Sequence, residues 1–164
     1  MVDFVDLPTR SRMMAAIKGR NTRPELRVRQ ALHSLGFRYR LHSDSLPGRP
    51  DIVFPKYNAV LFIHGCFWHR HQGCRYSTMP ATRADFWTAK FAQNQRRDID
   101  QRDLLVQSGW RVATVWGCVL MTVDISEALD AIVRWLLSRD MEMQFPPSLA
   151  DQSLVSHGSI HSMR

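Results

Sequence analysis

The sequence predicts a mixed α/β domain in which a small central sheet is covered by helices. Three observations carry that expectation. Apolar runs of strand length, "DIVF", "AVLFIHG" and "WRVATVWGC", are bounded by turn residues. Amphipathic stretches of helical period stand before, between and after them. The chain has 164 residues with an ordinary hydrophobic share of 45%, enough for one domain with a real core.

The elements follow in order. "TRSRMMAAIKGR" reads as a short basic helix or arm within residues 1–20. "NTRPELRVRQALHSLG" opens the main domain, residues 21–140, as a stronger helix. Thr22 can cap it, Pro24 suits its first turn, and Glu25 stands where a capping box wants a carboxylate. Val28, Ala31, Leu32 and Leu35 form its apolar stripe, and Gly36 ends it. "FRYRL" alternates like a half-buried strand, and "LPGRPD" is a turn. "DIVF" and "AVLFIHG" form a hairpin across "PKYN". A long polar helix spans "PATRADFWTAKFAQNQRRDIDQRDLLVQSG", with Thr82 and Asp85 at its start and Gly109 at its end. "WRVATVWGC" is the third sheet strand. "SEALDAIVRWLLSRD" is a final amphipathic helix through Leu129, Ile132, Val133 and Leu136. Residues 141–164 turn polar and lose periodicity, and read as a loose tail.

The net charge of +7 and a pI near 10.0 point to an anionic partner, of which nucleic acid is the commonest. No apolar run is long enough to span a bilayer, and the acidic start lacks a secretory core. A cytoplasmic location follows, with thiols kept reduced. Three cysteines cannot close fully into internal disulfides, which favours metal binding.

The stretch "HGCFWHRHQGC", His64 to Cys74, concentrates the chemistry. A structural zinc wants four cysteine or histidine ligands in a tetrahedron. Cys66, His71 and Cys74 share one loop, and Cys118 just past a strand end can supply the fourth ligand. His69 rivals His71, because Cys-x-x-His is also a sound ligand spacing. Zinc would organise a loop that has little apolar surface of its own. Asp51, opening a strand after "PGRP", suits Mg²⁺, which takes one or two carboxylates together with substrate phosphates. Glu25 is placed to lie beside it. Taken singly, Asp51 reads first as a turn residue capping the strand start, and Glu25 as the capping-box carboxylate.

"TRSxxMxAI", "SLPGRPD", "HGCFWHRH", "PATRxxFW" and "GWRVxxVWxC" together resemble the very-short-patch repair DNA mismatch endonucleases, in order and nearly constant spacing from Thr9 to Cys118. The resemblance implies a restriction-endonuclease-like mixed β-sheet flanked by helices, with a structural zinc site, in an endonuclease domain over residues 21–140. It implies Mg²⁺-dependent nicking of double-stranded DNA beside the T of a T:G mismatch. The metal aspartate falls on Asp51, with the Ile63 backbone carbonyl as a second Mg²⁺ ligand. The catalytic histidines fall on His64 and His69, and the supporting carboxylates on Glu25 and Asp98. The zinc ligands fall on Cys66, His71, Cys74 and Cys118, which favours His71 over His69. The restriction-enzyme Glu-x-Lys is absent; "LFIHG" stands there, so imidazole takes over the proton work. Two metal ions can clamp both sides of a scissile phosphate, and either histidine can serve as base. Phe67, Trp68 and Trp87 are implied to wedge between base pairs, Met14 to approach the opposite groove, and Lys90 and Asn94 to touch the mismatched bases.

Other mismatch-repair proteins are candidate partners, and a monomer fits the nicking of one strand. Two other functions fit parts of the sequence. One is a non-catalytic, zinc-stabilised module that senses DNA distortion. The other is a restriction endonuclease of the same fold with another target. Only a nuclease uses Asp51, His64 and His69 together.

Overall fold

A computed structural model describes Thr9 and residues 19–148. The opening arm, Met14 in it, and the last residues of the tail lie outside the described residues. Five strands form one sheet in the order β1-β2-β3-β4-β5. They are β1 (Arg40–Leu41), β2 (Ile52–Phe54), β3 (Ala59–His64), β4 (Arg111–Trp116) and β5 (Glu142–Phe145). β1, β2 and β3 pair antiparallel, whereas β3–β4 and β4–β5 are parallel. The β2–β3 hairpin turns through a short 3₁₀ segment, Pro55–Tyr57. The parallel β3–β4 pair needs a long crossover, which the 24-residue helix α3 (Ala84–Gln107) provides.

Helix α1 (Arg23–Ser34) starts as the capping box requires. Thr22 accepts the Glu25 N–H and donates its own hydroxyl to Glu25 Oε1 at 2.8 Å. Val28 and Leu32 are fully buried, but Leu35 is the C-cap and is 58% exposed, so the apolar stripe ends one turn early. Glu25 and Arg29, nearer the start of the helix, are buried as well. Of "FRYRL" only Arg40–Leu41 is strand, while Phe37 and Tyr39 pack against the core from the connecting loop. Helix α5 (Ser126–Leu137) buries Ala128, Ile132, Trp135 and Leu136, spaced at the helical period. These residues share one core with Val28, Leu32, Ile52, Phe54, Leu61, Ala113 and Val115. The other sheet face, Val53, Val60 and Val112, is covered by Leu105 of α3.

Helix α3 has Arg83 as N-cap, in a left-handed conformation with φ 55°; Asp85 lies in its first turn. Gly109, at φ 83°, ends it by bonding back to Val106. Gly48 is required in "SLPGRPD", because its φ is 75° and a side chain would press on the Phe62 ring.

The tail departs from expectation. Residues 142–145 are not loose but add β5 as an edge strand, Val112 pairing with Glu142 and Val115 with Phe145. "EMQF" alternates exposed and half-buried residues over four positions, too short for a periodic signal; its stability comes from the open β4 edge.

Candidate active site

The parallel register of β3 and β4 builds the metal-ligand cluster. His64 pairs with Trp116, so Cys66 and Cys118 stand two residues beyond the same rung. Each strand runs directly into one helical turn, α2 (Cys66–His69) and α4 (Gly117–Leu120). The loop after α2 folds back through His71 N–H to Cys66 carbonyl and Cys74 N–H to His71 carbonyl. The ligand atoms of Cys66, His71, Cys74 and Cys118 then lie within 4.8 Å of one another. His71 Nδ1 is 3.6 Å from Cys66 Sγ and 3.5 Å from Cys118 Sγ. With zinc bonds of about 2.3 Å to sulfur and about 2.05 Å to nitrogen, a tetrahedron's S–N edge is about 3.6 Å. The donor set and its spacing therefore fit zinc. Burial pushes the Cys66 thiol up to about 12 and raises that of Cys118, so both stay protonated without a cation. A coordinated cation reverses that preference. The His71 ring is stacked on Trp116 at 4.3 Å, which fixes its plane.

A second group of residues meets in a cleft of about 1020 Å³ at the ends of the same strands. Asp51 stands one residue before β2, and its Oδ2 accepts the Ile63 N–H at 2.7 Å. Desolvation dominates that bond and raises the Asp51 carboxyl to about 6. In a strand, the N–H and C=O of one residue face the same neighbour. The Ile63 carbonyl therefore faces the β2 side, where Asp51 stands. A carboxylate and a backbone carbonyl at one strand end are the kind of hard oxygens that Mg²⁺ prefers.

His69, on α2, is held by Asp98 of α3, with Nδ1 and Oδ2 2.6 Å apart. A carboxylate only accepts, so Nδ1 carries the proton of this bond, and in the neutral ring Nε2 keeps its lone pair. The His64 ring stacks on His69 at 3.9 Å with planes 9° apart. Burial, and then the neighbouring His69, pushes His64 down to about 3, so it is neutral at physiological pH. The ligand atoms of His64, His69 and Asp98 cluster within 4.8 Å, as do those of Glu25, His42 and Asp51.

Glu25 sits in this cleft but is heavily engaged, taking bonds from Asn21 N–H, Thr22 and Arg29. His42 and Arg29 are site residues that the sequence reading did not pick. His42 ends "FRYRLH" with no motif around it; Arg29 carried one usable signal, its i+4 spacing from Glu25. Burial, and then Arg29, lowers the His42 pKa.

The aromatic residues interlock at the mouth of the cleft. Phe67 lies 5.1 Å from Trp68, 5.7 Å from Trp87 and 5.1 Å from Phe91, mostly edge to face. Phe91 is buried, whereas Phe67, Trp68 and Trp87 are only half-buried. Lys90 is exposed beside the cleft. Asn94 is 95% buried by contrast, its Nδ2 donating to the Trp68 carbonyl at 3.1 Å and its Oδ1 accepting from Arg97. Its task in this conformation is to hold the aromatic turn.

A metal-suited carboxylate, a histidine held by a carboxylate and a basic chain suit a hydrolase acting on a phosphodiester, and the class itself is shown by similarity to known proteins. Residues 2–75 match the family model described as DNA mismatch endonuclease Vsr. The chain is 48% identical over 128 residues to the type II nicking enzyme V.XorIIP of Xanthomonas oryzae pv. oryzae (strain KACC10331 / KXO85), covering 78% of this chain and 93% of that one. It is 45% identical over 120 residues to the DNA mismatch endonuclease Vsr of Escherichia coli (strain K12), covering 73% and 76%. With the type II nicking enzyme V.NmeAIP of Neisseria meningitidis serogroup A it shares 41% identity over 135 residues. The chain belongs to the Vsr family of DNA mismatch endonucleases, and it is a DNA endonuclease. Among the described residues no helix is long and apolar enough to cross a membrane.

Proposed function

We propose that this endonuclease nicks one strand of duplex DNA beside the T of a T:G mismatch, with Mg²⁺ at Asp51 and zinc at the Cys66–His71–Cys74–Cys118 cluster. The observation that carries the proposal is the single cleft in which Asp51, the His69–Asp98 pair and the Phe67–Trp68 turn meet. On this reading the sheet and its helices are a restriction-endonuclease-like core. The enzyme works as a monomer in the cytoplasm, where mismatch-repair proteins would take over its product.

Asp51 and the Ile63 carbonyl would hold Mg²⁺, which would supply charge to neutralise the phosphate and stabilise the leaving oxygen. His69 is the general base. Its Nε2 takes the proton of the attacking water, and Asp98 steadies the imidazolium that results. His64, neutral and stacked on His69, serves as a fixed polar wall that keeps the base in plane. The basic cleft rim binds phosphates, and Lys90, exposed beside the aromatic turn, reaches the mismatched bases. Phe67, Trp68 and Trp87 enter the stack at the mismatch, where a wobble pair yields more easily than a matched one. Base contacts by Asn94 would require it to release the Trp68 carbonyl. Met14 would reach the groove opposite the aromatic residues.

The test is Asp51→Ala. It should bind mismatched duplex as well as the wild type, yet not nick it with Mg²⁺. Retained Mg²⁺-dependent nicking would remove Asp51 from the site.

A further inference from the structure

Arg97 of α3 lines the cleft, half-buried, and among the described residues it pairs with no carboxylate. The acidic groups around it are engaged elsewhere. Glu25 lies 2.8 Å from Arg29, Asp44 lies 3.3 Å from both Arg20 and Arg49, and Asp98 lies 2.6 Å from His69. Asp51 accepts the Ile63 N–H. The one side-chain hydrogen bond of Arg97 runs from Nη2 to Asn94 Oδ1 at 3.3 Å. A guanidinium carries its N–H donors in a rigid fork and is never neutral, so Nε and Nη1 remain for an anion. In a DNA endonuclease the anion that fits is a backbone phosphate, which an arginine fork grips bidentately.

The same guanidinium reaches the aromatic turn through one intermediary. Asn94, one turn before Arg97 on α3, is 5% exposed and uses both ends of its amide. Its Oδ1 accepts from Arg97, and its Nδ2 donates to the Trp68 carbonyl at 3.1 Å. Helix α2 is only four residues long, Cys66–His69, so its last carbonyls find no partner within the helix. Asn94 supplies one to Trp68. Arg97 fixes which way the Asn94 amide points, because a donor at Oδ1 leaves Nδ2 to face the carbonyl. Arg97, Asn94 and Trp68 thus form one chain of hydrogen bonds from the cleft wall to the aromatic residue at its mouth.

We propose that Arg97 is a phosphate contact that also positions the mismatch-reading turn: its fork holds a backbone phosphate of the duplex, and its Nη2, through Asn94, holds Trp68 where the base stack is entered. This rests on the reading of Trp68 as a mismatch wedge. Lysine would supply the charge there, but not both contacts from one rigid plane. Grip on the backbone and selection of the mismatch are linked through this side chain.

The experiment measures binding of the full-length protein to T:G and matched C:G duplexes, in EDTA, over a series of salt concentrations. Arg97→Met should lower the log–log salt slope by about 0.9 on both duplexes, the loss of one phosphate contact. It should also cut the preference for T:G by roughly 2–10-fold, the worth of one positioning hydrogen bond. Arg97→Lys should keep the slope and lose the preference. In a Trp68→Ala background neither substitution should change the preference that remains. An unchanged slope in Arg97→Met would remove the phosphate contact. An unchanged preference, or an equal loss of it in the Trp68→Ala background, would remove the positioning role. Either result overturns the inference. Should Arg97→Met lose its cooperative melt, Arg97→Lys decides, since it must keep the slope and lose the preference. A wild type with no preference for T:G would instead remove the mismatch reading, and this inference with it.

Discussion

Asp51→Asn should stabilise the protein, in the absence of Mg²⁺, while abolishing its activity. Asp51 has its carboxyl raised from 3.8 to about 6, chiefly by desolvation. At about 1.4 kcal/mol per pH unit, the ionised carboxylate costs the fold up to roughly 3 kcal/mol, and about 2 once its residual solvent contact is allowed for. The sign follows from which state ionises first. Below 3.8 both folded and unfolded chains are protonated there, and no penalty exists. As pH rises toward 6 the unfolded chain releases its proton first, so stability falls, and above 6 the penalty is constant. Asparagine carries no charge at any pH and still accepts the Ile63 N–H. The gain from Asp51→Asn should therefore be full at pH 8, shrink by roughly half at pH 5, and vanish at more acid pH. For a domain of this size, 2–3 kcal/mol corresponds to roughly 4–12 °C in Tm. Thermal melts of zinc-loaded protein, followed by circular dichroism at pH 8 and pH 5, measure it. Mg²⁺ with DNA should raise the Tm of the wild type more than that of the variant. An Asp51→Asn protein no more stable than wild type at pH 8, or equally stabilised at both pH values, would refute the reasoning. The same shift makes protons compete with metal, so nicking should decline as pH falls through about 6.

Asp98→Asn lets an amide N–H face His69 Nδ1, which moves the ring proton to Nε2 and removes the base. Its nicking rate should fall by about 10²–10⁴ with DNA affinity unchanged, and an unaltered single-turnover rate would contradict the His69 assignment. Cys118→Ser should lose the bound zinc and several kcal/mol of stability, read by elemental analysis and a melt; full zinc content would break the four-ligand set. Trp68→Ala should weaken T:G binding by roughly 5–100-fold while sparing matched duplex and zinc, the cost of one lost stacking partner. Equal losses on both duplexes would make Trp68 a packing residue instead.

What was legible in the sequence follows the range of the signals. The "PKYN" hairpin, the apolar face of α5 and the capping box of α1 are local, and all three stand in the structure. Cysteine arithmetic pointed to the three cysteines, but they come together through the His64↔Trp116 register, a long-range pairing that no local pattern encodes. Between His69 and His71 residue spacing could not choose; in the structure His71 lies among the thiols, its ring on Trp116, and His69 is tied to Asp98. β5 escaped notice because an edge strand of four residues is stabilised by its neighbour rather than by its own pattern. Arg29 and His42 escaped because a buried charge looks, in sequence, like any residue on the polar side of a helix or loop. Asn94 reads as a surface residue on a polar helix, but it is buried because α2 packs over that turn.

The central claim is that this cleft nicks DNA at a mismatch, on one strand, with a divalent metal. The direct measurement uses two duplexes of one sequence, differing only in T:G against C:G, with each strand separately end-labelled and with Mg²⁺ or EDTA present. The account predicts a single nick beside the T, on the T strand only, with Mg²⁺ only, and far slower or no cleavage of the C:G duplex. Equal cleavage of both duplexes, cuts in both strands, or nicking that persists in EDTA would contradict it.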